Sequence, residues 1–202
     1  MALEIVFLFF MVWIILKCCV PLSAASERCS TMLVLGSGGH TAELMSYVRL
    51  LPPVYSPRIY VVASNDNLSG EKALELENMR QSNDFLIEKL PRARAVGQSY
   101  FTSVFTTCYA IIVATLLVLK HRPRLVLCNG PGTCVPVCLA ARVVHSLMRG
   151  SKAVVFVESI CRTRRLSLSG RLLYHLHLVC VVVQWPYLVK KYPRATYLGL
   201  LS

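Results

Sequence analysis

The chain has 202 residues, 55% hydrophobic and only 16% charged, which is too apolar for disorder and allows one membrane anchor plus one domain of ordinary size. Its nine cysteines form no C-x-x-C pair and no His-partnered set, which excludes a secreted disulfide scaffold and a zinc site and indicates a reducing compartment. The net charge of +12 is lopsided: beyond Glu88 lie sixteen of the 22 basic residues and a single acid, Glu158, so that half attracts phosphate in some form.

Residues 3–22 form the first element, an apolar stretch interrupted only by Glu4 and Lys17 and long enough for a transmembrane helix. A cleaved signal peptide is the alternative: Ser23-Ala24-Ala25 resembles a cleavage site, but such a peptide opens on basic residues, whereas this chain opens Met-Ala-Leu-Glu. Glu4 precedes the span while Lys17 and Arg28 flank its far end, so the positive-inside rule puts the short N-terminus in the lumen and the domain in the cytosol. A polar linker, 23–30, leads to a single domain, 31–202.

Within that domain strand and helix signals alternate. Thr31–Leu35 reads as a strand, Gly36-Ser37-Gly38-Gly39 as a turn, and His40–Leu51 as a helix stopped by Pro52-Pro53. Ile59–Ala63 is a second strand, Gly70–Arg80 a polar helix or loop, and Phe85–Ile87 a weak third strand. Tyr100–Leu119 is long enough to span a bilayer, but it stands where a crossover helix belongs and four threonines dilute it. It is therefore read as a crossover helix with one face toward membrane or a partner. Leu125–Cys128 is a strand, Gly130–Thr133 a turn leading into an apolar helix up to Met148, and Ala153–Val157 a strand. Leu172–His177 reads as helix and Val179–Val183 as a last strand. Continuous apolar strands alternating with helices predict an α/β fold, a Rossmann-like parallel sheet with helices on both faces. Cys128, Cys134, Cys138, Cys161 and Cys180 lie in apolar runs and are expected to be buried free thiols.

The candidate chemistry lies at the strand ends. Gly36-Ser37-Gly38-Gly39-His40-Thr41 opens a helix, where free N–H groups and the helix dipole favour a phosphate. It lacks the third glycine and the distant acid of a dinucleotide fingerprint, and the Gly-Lys-Ser/Thr of a Walker loop. Gly130, Gly132 and Thr133 repeat the design after a later strand, so both loops belong at the carboxyl edge of one sheet. Glu158 should reach the same edge. It either pairs with a neighbouring arginine or faces a sugar hydroxyl as proton acceptor, while Arg162 and Arg164 hold a diphosphate. His40 is either a satisfied core histidine or a ligand contact. No nucleic-acid motif is present, and no cofactor is expected.

Leu-Gly-Ser-Gly-Gly-His-Thr-Ala-Glu (Leu35–Glu43), Asn-Gly-Pro-Gly-Thr (Asn129–Thr133), Phe-Val-Glu-Ser (Phe156–Ser159) and Val-Gln-Trp-Pro…Tyr-Leu-Gly (Val183–Gly199) occur in this order. As a set they resemble the family of membrane-anchoring subunits of the eukaryotic transferase that adds the second N-acetylglucosamine to dolichol-diphosphate-linked N-acetylglucosamine. That family is in turn similar to the N-terminal half of the bacterial peptidoglycan N-acetylglucosaminyltransferase. The resemblance implies the acceptor-side half of a GT-B fold, anchored in the endoplasmic reticulum membrane and inactive without a soluble donor-binding subunit. It also implies that Gly36, Ser37, Gly38, Gly39 and His40 approach the lipid diphosphate. Gly130, Gly132 and Thr133 would form the second loop, and Glu158 would be the acidic position after the fifth strand. The rival expectation is a purely structural membrane recruiter with no acceptor-site role.

Overall fold

Seven short strands, most of them unbroken apolar runs, pair side by side and all parallel: β1 (Thr31–Val34), β2 (Arg58–Ala63), β3 (Phe85–Leu90), β4 (Leu125–Asn129), β5 (Ala153–Val157), β6 (Cys180–Val183) and β7 (Thr196–Tyr197). The computed structural model describes residues 28–93, 98–130, 132–148 and 152–201; the expected anchor and the linker up to residue 27 lie outside the described residues. Spatial order is β3-β2-β1-β4-β5-β6-β7. The chain winds outward from β1 through β2 to β3, then crosses back to pair β4 with β1 in the register Val34–Cys128. That reversal is the topological switch point of a doubly wound sheet.

Because side chains alternate across a strand, the sheet feeds two cores. Leu33, Tyr60, Val62 and Leu127 join Leu44, Met45, Val48, Ala73 and Leu76 from helices α1 (Gly39–Leu50) and α2 (Asn67–Met79). Met32, Val34, Ile59, Val61, Val126 and Phe156 point the other way. There they meet α3 (Tyr100–His121), α4 (Cys134–Leu147), α5 (Leu168–His175) and α6 (Pro186–Lys191). A Val, Leu, Ile, Phe or Met side chain fully withdrawn from water contributes roughly 1.5–3 kcal/mol.

The caps explain where helices begin. Asp66 accepts the Ser69 amide, so α2 starts three residues earlier than its polar sequence implies. Ser99 accepts the Thr102 amide and Ser167 the Gly170 amide, opening α3 and α5. The last helix and strand carry little periodicity and are not expected from sequence. Pro186 at the first position of α6 and the pairing of β7 with β6 produce them. Near the chain end, buried Gln184 accepts the Leu201 amide at 3.0 Å and donates to Tyr47 Oη at 2.9 Å.

Helix α3 is the expected crossover. Ala110, Ala114 and Val118 are wholly buried on its inner face, and Lys120 and His121 both reach Glu88 at the end of β3, at 2.7 and 2.8 Å. Its outer face remains apolar: Phe101, Val104, Phe105, Tyr109, Ile112, Leu116 and Leu119 form an exposed stripe at three- and four-residue spacing. The helix is long and apolar enough to cross a membrane by length and composition, at about 33 Å for 22 residues.

Cys128, Cys134 and Cys138 are buried free thiols, as expected, but Cys161 and Cys180 are exposed. Cys161 lies beyond the end of β5 in an arginine-rich loop, and Cys180 opens β6 where the short β7 leaves it uncovered. Among the described residues no cluster of His, Cys, Asp or Glu could hold a metal ion.

His145 is 8% exposed and donates Nε2–H to the Pro123 carbonyl at 2.8 Å; burial pushes its pKa down to about 4. The unfolded chain therefore binds a proton at higher pH than the native one, and stability falls as pH drops from about 6.5 toward 4. Urea denaturation at several pH values should show the wild type losing up to about 3 kcal/mol more than His145→Gln across that window. Parallel curves for the two proteins would remove His145 as the source.

Candidate functional site

The two glycine loops leave the sheet side by side. Val34 pairs with Cys128, and two residues beyond each stand Gly36 and Gly130. Gly38 adopts φ 64° and precedes α1 without any side-chain cap, so the first amides of a 12-residue helix face outward unpaired within it. A methyl group built on Gly38 or Gly39 meets no atom within 4 Å, so the space above this turn is open. Gly39 has no positive φ, so its lack of a side chain serves access and not backbone conformation. Ser37, Gly38, Gly39 and Gly132 are exposed, and Thr133 is half-buried.

Thr41 lies beneath the loop. It is 1% exposed and donates to the Gly36 carbonyl, with Ser69 Oγ 2.8 Å away and Ser69 in turn held by Asp66. Expected at the ligand surface, Thr41 instead clamps the turn from inside, because the third residue of α1 faces Ser69 of α2.

His40 is half-buried on the loop's inner rim. Its Nδ1 lies 3.0 Å from Asn129 Oδ1 at the end of β4, and its ring stacks over Gly130. A Cβ on Gly130 would stand 2.5 Å from His40 Cγ, and Gly130 has φ 109°, so no other residue fits there. Asn129 Nδ2 donates to Glu43 Oε2 at 2.8 Å, and Ser159 Oγ donates to Glu43 Oε1 at 2.8 Å. One short chain of hydrogen bonds thus joins the start of α1 to the ends of β4 and β5. Glu43, Asn129 and Ser159 do not stand out from sequence as site residues. The available signal is the i, i+3 spacing of His40 and Glu43, which puts both on one face of α1.

Glu158 directly follows β5, at the carboxyl edge, with its side chain turned inward. It is 1% exposed, and its carboxylate turns toward the start of α5. There Oε2 accepts the Ser167 amide at 2.8 Å and the Ser167 hydroxyl at 3.0 Å, while Oε1 accepts the Ser159 amide at 3.2 Å. Burial raises its pKa against those hydrogen bonds. Gly170 makes this possible, since a Cβ there would stand 2.4 Å from Glu158 Oε2. The side chain is engaged in joining β5 to α5. Arg162 and Arg164, with Arg165, stand exposed on the same loop. Beside them Thr163, Arg164, Trp185, Pro186 and Tyr187 line an open depression of about 530 Å³.

A larger depression, about 680 Å³, lies at the opposite sheet edge between Arg28, Arg49, Arg58, Arg80 and Asp84. It faces the C-terminal ends of α1 and α2, whose dipoles repel anions. Three of its arginines are already engaged, Arg28 with Asp84, Arg58 with Glu77 and Arg80 with carbonyls of α1. The open glycine turn and the exposed Arg162, Arg164 and Arg165 lie instead at the carboxyl edge.

Comparison with known proteins bears on the family and the fold. A family model described as "Oligosaccharide biosynthesis protein Alg14 like" matches residues 31–201. The chain is 47% identical over 175 residues to the rat UDP-N-acetylglucosamine transferase subunit ALG14, covering 83% of this chain and 81% of that protein. It is 41% identical over 201 residues to the human protein of that name, covering 96% and 92%. Among solved structures it superposes on Acinetobacter baumannii MurG with a TM-score of 0.54 at 16% identity, covering 79% of this chain and 42% of that one. A putative UDP-N-acetylglucosamine 2-epimerase from Listeria monocytogenes gives 0.58 at 12% identity, covering 86% and 45%. The chain thus spans less than half of each of these structures, and the likeness is one of fold. With the model matched across nearly the whole domain and relatives above 40% identity, the chain belongs to the Alg14 family of oligosaccharide biosynthesis proteins.

Proposed function

We propose that this chain is the acceptor-side, membrane-anchoring subunit of a UDP-N-acetylglucosamine transferase. In this reading the complex adds a second N-acetylglucosamine to dolichol-diphosphate-linked N-acetylglucosamine at the cytosolic face of the endoplasmic reticulum. The observation that carries it is the pair of glycine loops meeting at the switch point around His40, on a chain that is a single Rossmann-like unit. The names of the relatives support a transferase subunit. The coverage of the MurG chain, 42%, supports one half of a two-domain enzyme, with the donor half on a separate soluble subunit.

The lipid diphosphate lies over Ser37, Gly38 and Gly39, where free amides and the helix dipole meet its charge. Gly132, Thr133, Arg162 and Arg164 bound it from the neighbouring loops. The acceptor hydroxyl attacks C1 of the donor sugar with inversion, and the bond from C1 to the UDP oxygen breaks. His40, half-buried at the cleft rim with Nε2 free of any partner among the described residues, takes the hydroxyl proton. Glu158 supports the loop from beneath. The apolar stripe of α3 lies in the membrane interface and keeps the cleft at headgroup level.

Gly39→Val should abolish transfer by the reconstituted two-subunit enzyme while the variant still folds and recovers its partner, since the added side chain meets only open space. His40→Ala should lower kcat roughly 10²–10⁴-fold. Soluble donor binding should be unchanged in both. Full turnover by both variants would leave a purely structural recruiter.

With residues 1–22 removed, the domain should still float with anionic vesicles. Phe105→Glu combined with Ile112→Glu should release it, and unchanged flotation would rule the stripe out. Asn67, in a sequon at the exposed start of α2, should carry no glycan; a glycosidase-sensitive mass shift would put the domain in the lumen.

A further inference from the structure

We infer that Glu43, acting through Asn129, is a positioning residue that fixes the tautomer of His40 and leaves Nε2 as the proton acceptor. The inference rests on the reading of His40 as the base.

Which groups are able to donate decides the orientation of each. A carboxylate only accepts, so Glu43, 2.8 Å from the Asn129 amide, must face its NH₂. Turned the other way, Asn129 would set its carbonyl oxygen against a carboxylate at that distance. With Nδ2 committed to Glu43, Oδ1 faces His40 Nδ1 at 3.0 Å. An amide oxygen also only accepts, so Nδ1 must carry the proton and donate. In neutral His40 the lone pair is then on Nε2, which no described residue occupies.

The arrangement is rigid by construction. Asn129 is wholly buried at the end of β4, and the His40 ring lies against Gly130 with no space for even a methyl group between them. Ser159 Oγ holds the second Glu43 oxygen at 2.8 Å, so the carboxylate cannot rotate away from Asn129. When Nε2 takes a proton from the acceptor hydroxyl, the imidazolium still donates through Nδ1 to Oδ1, and the Glu43 charge lies behind the same amide. The parts are those of a base oriented by a third group, with an amide inserted between base and carboxylate.

The decisive variant is Glu43→Gln, which keeps the shape but adds a donor. A glutamine can offer its NH₂ to Asn129 Oδ1, allowing Asn129 to turn and present NH₂ to His40. Nδ1 then becomes the acceptor, and the proton moves to Nε2. The experiment is ¹⁵N NMR of full-length chain, ring-labelled at histidine and reconstituted with its partner in lipid nanodiscs, with His40 assigned by difference from His40→Gln. Wild-type His40 should show protonated Nδ1 and bare Nε2, and Glu43→Gln should exchange the two. kcat should drop roughly 10²-fold or more with KM for both substrates unchanged. Ser159→Ala, which removes the other Glu43 contact but no donor or acceptor from Asn129, should keep the wild-type tautomer.

A wild-type chain protonated on Nε2 overturns the assignment without recourse to any variant. So does a Glu43→Gln chain that keeps Nδ1–H. An exchanged tautomer with undiminished kcat upholds the relay and instead removes His40 as the base.

Discussion

Everything at the functional edge depends on β1 lying against β4. A parallel sheet must be covered on both faces, and right-handed crossovers place each connecting helix on one side or the other according to the direction of winding. The chain winds one way through β2 and β3 and returns through α3 to start again beside β1. The helices after β1 and β4 therefore leave on opposite faces, with a crevice between their first turns. Two loops separated by about ninety residues in sequence become neighbours across a single ladder.

That proximity explains why the glycines differ from one another. Gly130 is required by a side chain, since His40 occupies the space its Cβ would need. Gly170 is required in the same way by Glu158, on the far side of β5. Gly39 has empty space before it and an ordinary helical backbone, so its absence of side chain is meaningful only toward a ligand. Gly38 combines open space with a left-handed φ of 64°. One residue type thus serves packing, backbone conformation and access at four positions of one edge.

Charge and hydrophobicity are divided between surfaces in the same way. The carboxylates near the cleft are all engaged: Glu43 by Asn129 and Ser159, Glu158 by Ser167 and Ser159. Arg162, Arg164 and Arg165 are exposed on the loop beyond and bring positive charge to this edge. The apolar stripe of α3 sits on the face opposite α1 and α2, on a helix whose inner side is narrow enough, with Ala110 and Ala114, to lie close against α4.

The strands, the glycine loops and the crossover role of α3 were legible because local patterns encode them: apolar runs of strand length, glycine after a strand, and a long helix between two strands. The weak end of the chain was not legible, since α6 and β7 exist through a proline start and an edge pairing and not through periodicity. For the site, sequence alone identified which residue types meet at the carboxyl edge, because each comes after a strand and parallel strands end together. Which of them face the cleft was decided only in three dimensions. Thr41 and Glu158 turned inward because packed neighbours, Ser69 and Ser167, offered hydrogen bonds that a buried polar group must have. Glu43 and Asn129 became partners of His40 only once β4 was laid beside β1, a contact between residues 86 to 89 positions apart that no local spacing can announce.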